Sequence, residues 1–287
     1  MSHIKAQYYV KQDDGRVHCV LCPHDCRIPQ GKMGICGVRA NKEGELYAES
    51  YGNISALSLD PIEKKPLYRF FPGSLILSVG SYGCNFSCSF CQNFGISLEK
   101  PETVYISPES LLYKAYDLKS SKNIGLAYTY NEPLMSYEYV LDCCKLVRDK
   151  GLKNVLVTNG YIQQAPLLEL LPYIDAMNID LKSFSEDFYK KICGGRAEFV
   201  KKTIETAVNA CHMEITTLVI PGLNDTSEEI EALSSWLSSL SPDIPLHLTR
   251  FFPHHKMTDK EPTPKETLER LADVARKHLH YVYLGNI

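Results

Sequence analysis

Residues 74–91, SLILSVGSYGCNFSCSFC, combine an apolar run with three closely spaced cysteines. The apolar run over 74–79 predicts a buried strand, and Cys84, Cys88 and Cys91 follow on the loop that leaves it. Structural zinc normally takes four protein ligands, and a cubane iron–sulfur cluster usually takes four cysteines. Three cysteines without a local fourth therefore favour a cluster with one open iron. Three reduced thiols on a surface loop, or a zinc site completed by a distant ligand, are the alternatives.

Downstream of this stretch the chain alternates between apolar runs and helical patterns. Repeated strand–helix units joined by right-handed crossovers build a parallel sheet, either open or curled into a barrel. At Ser107-Pro108 a cap-type residue precedes a first-turn proline, which is typical of a helix start. We therefore predict an α/β fold with strands at 74–80, 124–130, 153–158, 174–180, 214–220 and 244–250, and helices at 108–119, 136–150, 163–171, 199–211, 226–240 and 264–278.

The composition is that of an ordinary globular protein. The 287 residues are 44% apolar and 23% charged, enough for one large or two unequal domains. The formal charge of −3 gives no overall attraction to nucleic acid or to an anionic membrane. No run approaches the roughly 18 apolar residues of a spanning helix, and residues 1–7 lack the apolar segment of a signal peptide. We therefore expect a cytoplasmic protein without a membrane partner.

Residues 1–72 lack the regular strand–helix alternation of the rest of the chain. We expect a cysteine-rich module and linker there, followed by the main domain over 73–287. Four cysteines fall within 18 residues among turn-forming glycine and proline, namely Cys19, Cys22, Cys26 and Cys36. Four thiols at this spacing close a tetrahedral zinc site or hold a second iron–sulfur cluster. The sequence does not separate these two outcomes from cysteines that share no metal. His18 and His24 are substitute ligands in this prediction, and a solvated surface position is the alternative for each.

The spacing of three and then two residues between Cys84, Cys88 and Cys91 resembles the signature of the radical S-adenosylmethionine (SAM) enzymes. The resemblance implies a partial (β/α)6 TIM-like barrel and a [4Fe–4S] cluster, with each of these cysteines on one iron and SAM chelating the fourth. It also implies that the reduced cluster cleaves SAM to methionine and a 5′-deoxyadenosyl radical, which takes a hydrogen atom from a substrate. Phe90 resembles the aromatic residue that packs against adenine in these enzymes.

The second predicted strand ends at the edge where such barrels gather their functional groups. Residues 127–133 resemble the Gly-Gly-Glu-Pro motif of related enzymes, with Tyr130 and Asn131 in place of the two glycines. The resemblance places Asn131 and Glu132 at the cofactor, where Glu132 would accept hydrogen bonds from the SAM ammonium. The alternative is a carboxylate that only stabilises a helix start.

The next two strand ends resemble segments of pyruvate formate-lyase activating enzyme that contact SAM. By this resemblance Lys182 pairs with the SAM carboxylate, and Asp180 holds a hydroxyl or fixes that lysine. Val157 stands in place of an aspartate, so a ribose contact would come from Thr158 or Asn159. The alternative for each polar residue is a helix cap or a loop contact.

The sixth strand end resembles a Leu-Pro-Tyr-His segment of the same activating enzyme. Arg250 is expected to neutralise a carboxylate of SAM or substrate, and an exposed strand-end charge is the alternative. A one-residue slip in the alignment leaves the choice between His254 and His255 open.

Three larger features together resemble the AmmeMemoRadiSam-system radical SAM enzymes, which are relatives of that activating enzyme. They are the four-cysteine module, the Tyr-Thr-Tyr-Asn-Glu-Pro segment and residues 281–286. Many members of that group continue into a cysteine-bearing tail, so the end at Ile287 predicts either a short form or a truncated one.

Three functions stay open at this point. The first is an activating-enzyme-like oxidoreductase, in the nearest case an activase of a glycyl-radical enzyme, which acts on a protein or small molecule and takes electrons from a donor such as flavodoxin or ferredoxin. The second is a radical SAM enzyme that modifies RNA or protein, but no concentrated Lys/Arg tract favours a nucleic-acid partner. The third is an iron–sulfur electron carrier, which has no use for an open iron.

Overall fold

The computed structural model describes residues 4–287, so the first three residues of the segment inspected for a signal peptide lie outside the described residues. Within this range the strands are β1 (Tyr9–Lys11), β2 (Val17–Cys19), β3 (Arg27–Ile28), β4 (Arg39–Lys42), β5 (Glu45–Ala48), β6 (Asn53–Ile54), β7 (Ala56–Pro61), β8 (Leu75–Gly80), β9 (Val104–Tyr105), β10 (Asn123–Tyr128), β11 (Lys153–Thr158), β12 (Ala176–Asp180), β13 (His212–Val219), β14 (Leu246–Arg250) and β15 (Val282–Gly285). No helix in residues 4–287 combines the length and apolar character needed to cross a bilayer.

The α-helices alternate with the strands of the main sheet. They are α1 (Phe94–Ser97), α2 (Pro108–Asp117), α3 (Tyr137–Asp149), α4 (Gln164–Leu170), α5 (Glu186–Phe188), α6 (Ala197–Ala207), α7 (Ser227–Leu240) and α8 (Lys265–Ala275). Helix α2 begins where the sequence predicts, because the Ser107 side chain accepts a hydrogen bond from the Ser110 amide at 3.2 Å and Pro108 occupies the first turn.

An eight-stranded sheet organises the molecule, in the order β15-β14-β13-β12-β11-β10-β8-β7. All neighbours from β8 to β15 pair in parallel, and β7 pairs with β8 antiparallel. The predicted α/β class is therefore confirmed, and the six predicted strands are all present. The prediction missed β15, which is only half-buried. Residues 47–59 alternate enough to predict a short strand or two, and β6 and most of β7 lie there.

The segment between β7 and β8 contacts strand β13 through hydrogen bonds to Glu214. A 3-10 turn, Ile62–Lys64, lies in this segment. Further along, the backbone amides of Tyr68 and Arg69 donate to the carboxylate of Glu214 at 3.0 and 2.8 Å. Although Glu214 is buried, these bonds and those from His212 and His247 lower its pKa to about 2. The ionised Glu214 thus holds residues 68 and 69 of the linker against β13.

The N-terminal cysteines lie in a small module beside the barrel. Strands β1 to β3 form an antiparallel sheet, and β4 pairs with β5 as a hairpin. Arg39 of this hairpin makes a buried ion pair with Glu138 of α3, with Nη2 to Oε1 at 3.0 Å. Glu138 also accepts the backbone amide of Gln7 at 2.7 Å. These contacts join the module to the barrel, and the domain boundary at residue 72 stays a prediction.

Candidate active site

The cysteines of the 84–91 loop face one cavity at the carboxyl edge of the parallel strands. The cavity measures about 410 Å³ and is lined by Cys84, Cys88 and Cys91 together with residues from the ends of β10, β11 and β12. Two backbone hydrogen bonds fix this loop, because the amides of Ser87 and Ser89 donate to the carbonyls of residues 193 and 192 at 2.9 and 3.2 Å. The loop that carries the three thiols therefore rests on the π-helical turn Tyr189–Cys193.

Glu132 lines this cavity, and its carboxylate accepts three hydrogen bonds from neighbouring residues. Its carboxylate accepts the Thr158 hydroxyl at 2.6 Å, the Asn159 amide at 2.8 Å and the Leu134 amide at 3.1 Å. Burial raises the pKa of Glu132 to about 7, although these three donors oppose the shift. Both of the roles considered from sequence are thus compatible with its position, since it caps the 3-10 turn Pro133–Ser136 and also lines the cavity.

Tyr130 and Asn131, which replace the two glycines of the related motif, have clear structural tasks. Tyr130 adopts a left-handed backbone with φ of +73°, the conformation that glycine favours. The Asn131 side chain accepts the Ser81 amide at 2.9 Å and donates to the Gly83 carbonyl at 3.0 Å. Asn131 therefore positions the loop that leads to Cys84, and it also lines the cavity.

Asn159 connects the end of β11 to the cysteine loop. Its side-chain amide donates to the side chain of Asn85 at 2.8 Å and lies 3.7 Å from Cys84 Sγ. Asn85 in turn donates to the Tyr161 carbonyl at 2.7 Å. Sequence reasoning missed Asn85, although its place directly after Cys84 was visible in the motif.

Asp180 and Lys182 bring opposite charges to the same cavity. Lys182 Nζ lies 3.1 Å from the Asp180 carboxylate and 5.7 Å from the ring centre of Phe90. The side chain of Lys182 is 15% exposed and that of Asp180 is 39% exposed. A largely desolvated ammonium with one carboxylate partner retains two further donors for an anionic ligand.

Three predicted residues lie elsewhere, because Arg250, His254 and His255 are absent from the lining of this cavity. The Arg250 guanidinium donates from Nε to the Thr263 carbonyl at 2.7 Å and lies over the Phe252 ring. His255 stacks on Phe94 with ring centres 4.7 Å apart. His254 also packs against Phe94, with ring centres 5.6 Å apart. The backbone amide of Lys256 in this loop donates to the carbonyl of Ser89 in the cysteine loop at 3.0 Å, so the two loops are in contact beside the cavity.

Several residues that line the cavity were not among the predicted site residues. Thr216 and Thr249 are inward-facing strand positions, and a search of strand ends for polar residues would have found them. Lys65 comes from the linker, where its ammonium pairs with Asp60 at 2.8 Å. The remaining unpredicted polar members include Gln92, Asn93, Thr129, Tyr130 and Asn286.

The residues of this cavity fit the cluster and cofactor that the sequence resemblance implies. Three thiols on one loop suit a cluster with an open iron. A buried carboxylate and a buried ammonium, Glu132 and Lys182, face the same space and suit the ammonium and carboxylate of an amino acid. Each site assignment to a particular group of SAM stays a prediction.

The four N-terminal cysteines also come together, at a second cavity. Cys19, Cys22, Cys26 and Cys36 line it, along with Arg39 and Met135. His24 lies at the same cavity, whereas His18 pairs with Asp25 at 2.7 Å. The structure thus gathers the four thiols that the sequence grouped, and the metal stays a prediction.

Comparison with known proteins supports the same chemistry. The sequence profile of the Radical SAM superfamily matches residues 78–237, which is more than half of the chain. An uncharacterized protein of Methanocaldococcus jannaschii is 40% identical over 289 residues, covering 99% of this chain and 85% of the relative. The pyruvate formate-lyase-activating enzyme of Clostridium pasteurianum is 26% identical over 171 residues, covering 55% of this chain and 67% of that enzyme.

A solved structure shares the fold. The radical SAM methyltransferase from Sphaerobacter thermophilus superposes with a TM-score of 0.59 at 14% identity, covering 75% of this chain and 67% of that chain. The family resemblance expected from the cysteine spacing is confirmed by these matches, as is the barrel architecture. The narrower AmmeMemoRadiSam assignment stays a prediction.

Proposed function

This chain belongs to the radical SAM superfamily, and we propose on that premise that it cleaves SAM reductively and abstracts a hydrogen atom from the backbone of a partner protein. The superfamily implies a [4Fe–4S] cluster and SAM. Once reduced, the cluster supplies the electron that breaks a sulfonium carbon–sulfur bond, giving methionine and a 5′-deoxyadenosyl radical. The observation that carries the proposal is the single cavity that joins Cys84, Cys88 and Cys91 to Glu132 and Lys182.

The side chains of this cavity have separate tasks in the proposal. The three cysteines each hold one iron. Glu132 accepts hydrogen bonds from the SAM ammonium, and Lys182 donates to the SAM carboxylate, both as charge-assisted contacts. Asn131 and Asn159 keep the cysteine loop in place through the hydrogen bonds that they make with its backbone and with Asn85.

The mouth of the cavity favours a large substrate. Its lining includes the exposed residues Lys64, Gln92, Asn93 and Asn286, so the space opens to solvent between them. An activase must admit a loop of its partner protein, whereas an enzyme for a small molecule is expected to close over it. The similarity to an activating enzyme supports the same substrate class. A reduced flavodoxin or ferredoxin is the proposed electron donor, and a reducing cytoplasm is the proposed location.

The first experiment measures SAM cleavage. Anaerobically reconstituted protein receives SAM and dithionite, and 5′-deoxyadenosine is quantified by liquid chromatography. We expect product from the wild type and from Cys211→Ala, the matched control at a cysteine far from this cavity, and none from Cys88→Ala. Full activity of Cys88→Ala would refute the site. A loaded cluster without product, and without SAM binding, would favour the electron carrier.

A second experiment tests the substrate class. The loaded protein is incubated with SAM, reductant and a purified glycyl-radical enzyme from the same genome, and the radical is recorded by electron paramagnetic resonance. A glycyl radical on the partner supports the activase. Deoxyadenosine formed together with a modified RNA or protein side chain would instead place the chain among the modifying enzymes.

A further inference from the structure

Part of the linker between β7 and β8 packs against the barrel strands and reaches the cavity of the candidate active site. Its apolar side chains form one buried cluster with residues of four neighbouring strands, and the members are Ile62, Leu67, Phe70, Ile76, Ala127, Val155 and Ala176. The Asn178 side chain of β12 donates to the Pro66 carbonyl at 2.8 Å and accepts the Thr216 hydroxyl at 3.0 Å. These contacts fix the segment from which Lys64, Lys65 and Pro66 line the cavity.

Lys65 brings a positive charge that is almost wholly buried. It is 3% exposed, and burial lowers the pKa of its ammonium although Asp60 opposes the shift. An ammonium group has three N–H donors. Asp60 Oδ2 accepts one of them at 2.8 Å, and the centre of the Tyr130 ring lies 4.7 Å from the nitrogen. At least one N–H of Lys65 thus has no partner among residues 4–287, and a buried charged donor is costly to leave unpaired.

The carboxylate of Asp60 is shared among several donors. Although burial acts against it, hydrogen bonds from Lys65 and Tyr130 lower the pKa of Asp60 to about 2, so this group is ionised. The Tyr130 hydroxyl donates to the same oxygen as Lys65 at 2.7 Å, and the ammonium of the exposed Lys64 lies 3.8 Å from the other oxygen. One carboxylate thus serves two ammonium groups and a phenol, and it does not fully neutralise Lys65.

The other charged side chains of the cavity have separate partners. Lys182 pairs with Asp180 at 3.1 Å, and in the proposed function Glu132 and Lys182 bind the ammonium and the carboxylate of SAM. These contacts do not involve Lys65. Its unpaired N–H and its incompletely neutralised charge therefore remain for a second molecule in the same cavity, which in the proposed function is the substrate.

We propose that Lys65 binds a carboxylate group of the substrate. A carboxylate is a monoanion whose oxygens accept hydrogen bonds, so it suits a single buried ammonium with an unpaired N–H. A phosphate dianion would leave one negative charge unmatched in a largely buried place. Two sources present a carboxylate here, namely an acidic side chain on a loop of a partner protein and a small carboxylic acid. Calling the ligand a substrate rests on the proposed function, whereas carboxylate binding itself does not require the cluster.

The first test uses the metal-free wild-type chain with isotope-labelled lysine, so that it depends neither on SAM cleavage nor on the folding of a variant. Nuclear magnetic resonance follows the Lys65 Nζ signal, assigned through bonds from its backbone, while sodium acetate is added at constant ionic strength. Sodium chloride and the neutral acetamide are the control solutes. We expect a saturable shift of the Lys65 signal with acetate alone, and no such shift for the exposed Lys191. An unchanged Lys65 signal, or an equal shift with acetamide, would overturn the proposal.

A second test distinguishes the two sources of the carboxylate, on cluster-loaded and SAM-bound protein without reductant. Titration calorimetry compares the end-blocked peptide Gly-Gly-Asp-Gly-Gly with its Asn counterpart, and succinate with its monoamide. We expect the charged member of one pair to bind about 10-fold tighter than its neutral partner. Lys65→Met should lose that preference and Lys191→Met should keep it. A preference within the peptide pair assigns a protein loop, a preference within the succinate pair assigns a small acid, and no preference in either pair contradicts the proposal.

The carboxylate site and SAM cleavage can fail separately. Acetate binding at Lys65 without formation of 5′-deoxyadenosine would refute SAM cleavage and support the carboxylate site. Formation of 5′-deoxyadenosine without an acetate shift at Lys65 would refute the carboxylate site and support SAM cleavage.

Discussion

The backbone amide of Asn159 donates to Oε2 of Glu132 at 2.8 Å, and this contact joins the ends of β10 and β11 directly beside Cys84. Because Glu132 also accepts the Thr158 hydroxyl and the Leu134 amide, its carboxylate holds the segment after β10 and the end of β11 together. A residue expected to bind cofactor is therefore also part of the scaffold. A substitution at Glu132 is therefore expected to change both cofactor binding and the stability of the fold, and the two effects need separate measurements.

The stability of the metal-free protein should depend on pH through Glu132. Burial raises its pKa from the usual 4.5 to about 7, so between these values the folded state holds a proton that the unfolded state has lost. The contribution is therefore fully present below pH 4.5 and is lost as the pH rises through 7, by about 3 kcal/mol at most. Glu132→Gln removes this dependence, so its stability relative to wild type should increase with pH.

Urea unfolding of the metal-free proteins at several pH values measures that difference. Glu228→Gln, which alters an exposed carboxylate at the start of α7, is the control for removing one acidic group. A Glu132→Gln difference that is constant across the range would show that this carboxyl titrates at its usual value.

Lys182→Met should weaken SAM binding while the cluster is retained. The methionine keeps much of the volume but removes the ammonium that faces the cavity, and losing one buried charge-assisted contact costs about 1.5–3 kcal/mol, or roughly 10-fold or more in Kd. Titration calorimetry on cluster-loaded protein measures it. Lys191→Met, at an exposed lysine that pairs with Asp187, is the matched control and should bind SAM normally. Equal affinities for all three proteins would remove Lys182 from the site.

Gly83→Ala should impair loading of the catalytic cluster. Gly83 has a φ of +86°, and a new Cβ would lie 2.5 Å from Val38 Cγ1, so the loop before Cys84 must shift. Gly31 has a similar φ of +74° with nothing within 4 Å of the added atom, so Gly31→Ala carries only the backbone strain of about 1–2 kcal/mol.

Iron content after reconstitution and the rate of deoxyadenosine formation should therefore fall for Gly83→Ala and stay near wild type for Gly31→Ala. If both variants lose iron equally, positive φ rather than the close approach of the module is the cause.

The Arg39–Glu138 pair should control how firmly the N-terminal module is attached. Both side chains are buried, so Arg39→Met leaves an uncompensated carboxylate and should cost about 3–5 kcal/mol in the metal-free protein. The double variant Arg39→Met/Glu138→Leu removes both charges and should recover most of this loss. Arg276→Met breaks an exposed pair with Asp273 and should cost no more than about 1 kcal/mol. Denaturant unfolding compares the four proteins, and a double variant as unstable as the single one would argue against charge burial as the cause.

Much of the architecture was predictable because it depends on local patterns. The run over 75–80 is almost wholly buried inside the sheet, so it appears in the sequence as an apolar stretch. By contrast, β15 was missed because a half-buried strand of four residues has no comparable pattern. The strand ends that carry Glu132, Asn159 and Lys182 could be listed in advance, since the carboxyl edge of a parallel barrel collects them.

Arg250 and the two histidines after β14 could not be placed in this way, because they lie outside the lining of the cavity. Their distance along the chain from a strand end was suitable, but the loop that follows turns the Arg250 guanidinium toward the Thr263 carbonyl and stacks His255 on Phe94. A side chain at the mouth of a barrel points where its own loop directs it, and loop conformation is set by packing rather than by periodicity.

Cysteine spacing and hydrophobic period are properties of neighbouring residues, so the family resemblance and the alternation of strands and helices could be found in the sequence alone. Which distant groups meet depends on the folded chain. Folding brought Arg39 to Glu138 across 99 positions, turned the Asn131 amide toward the cysteine loop and gathered the four N-terminal thiols at one cavity. These relationships depend on how whole elements pack, and no local pattern of residues contains that information.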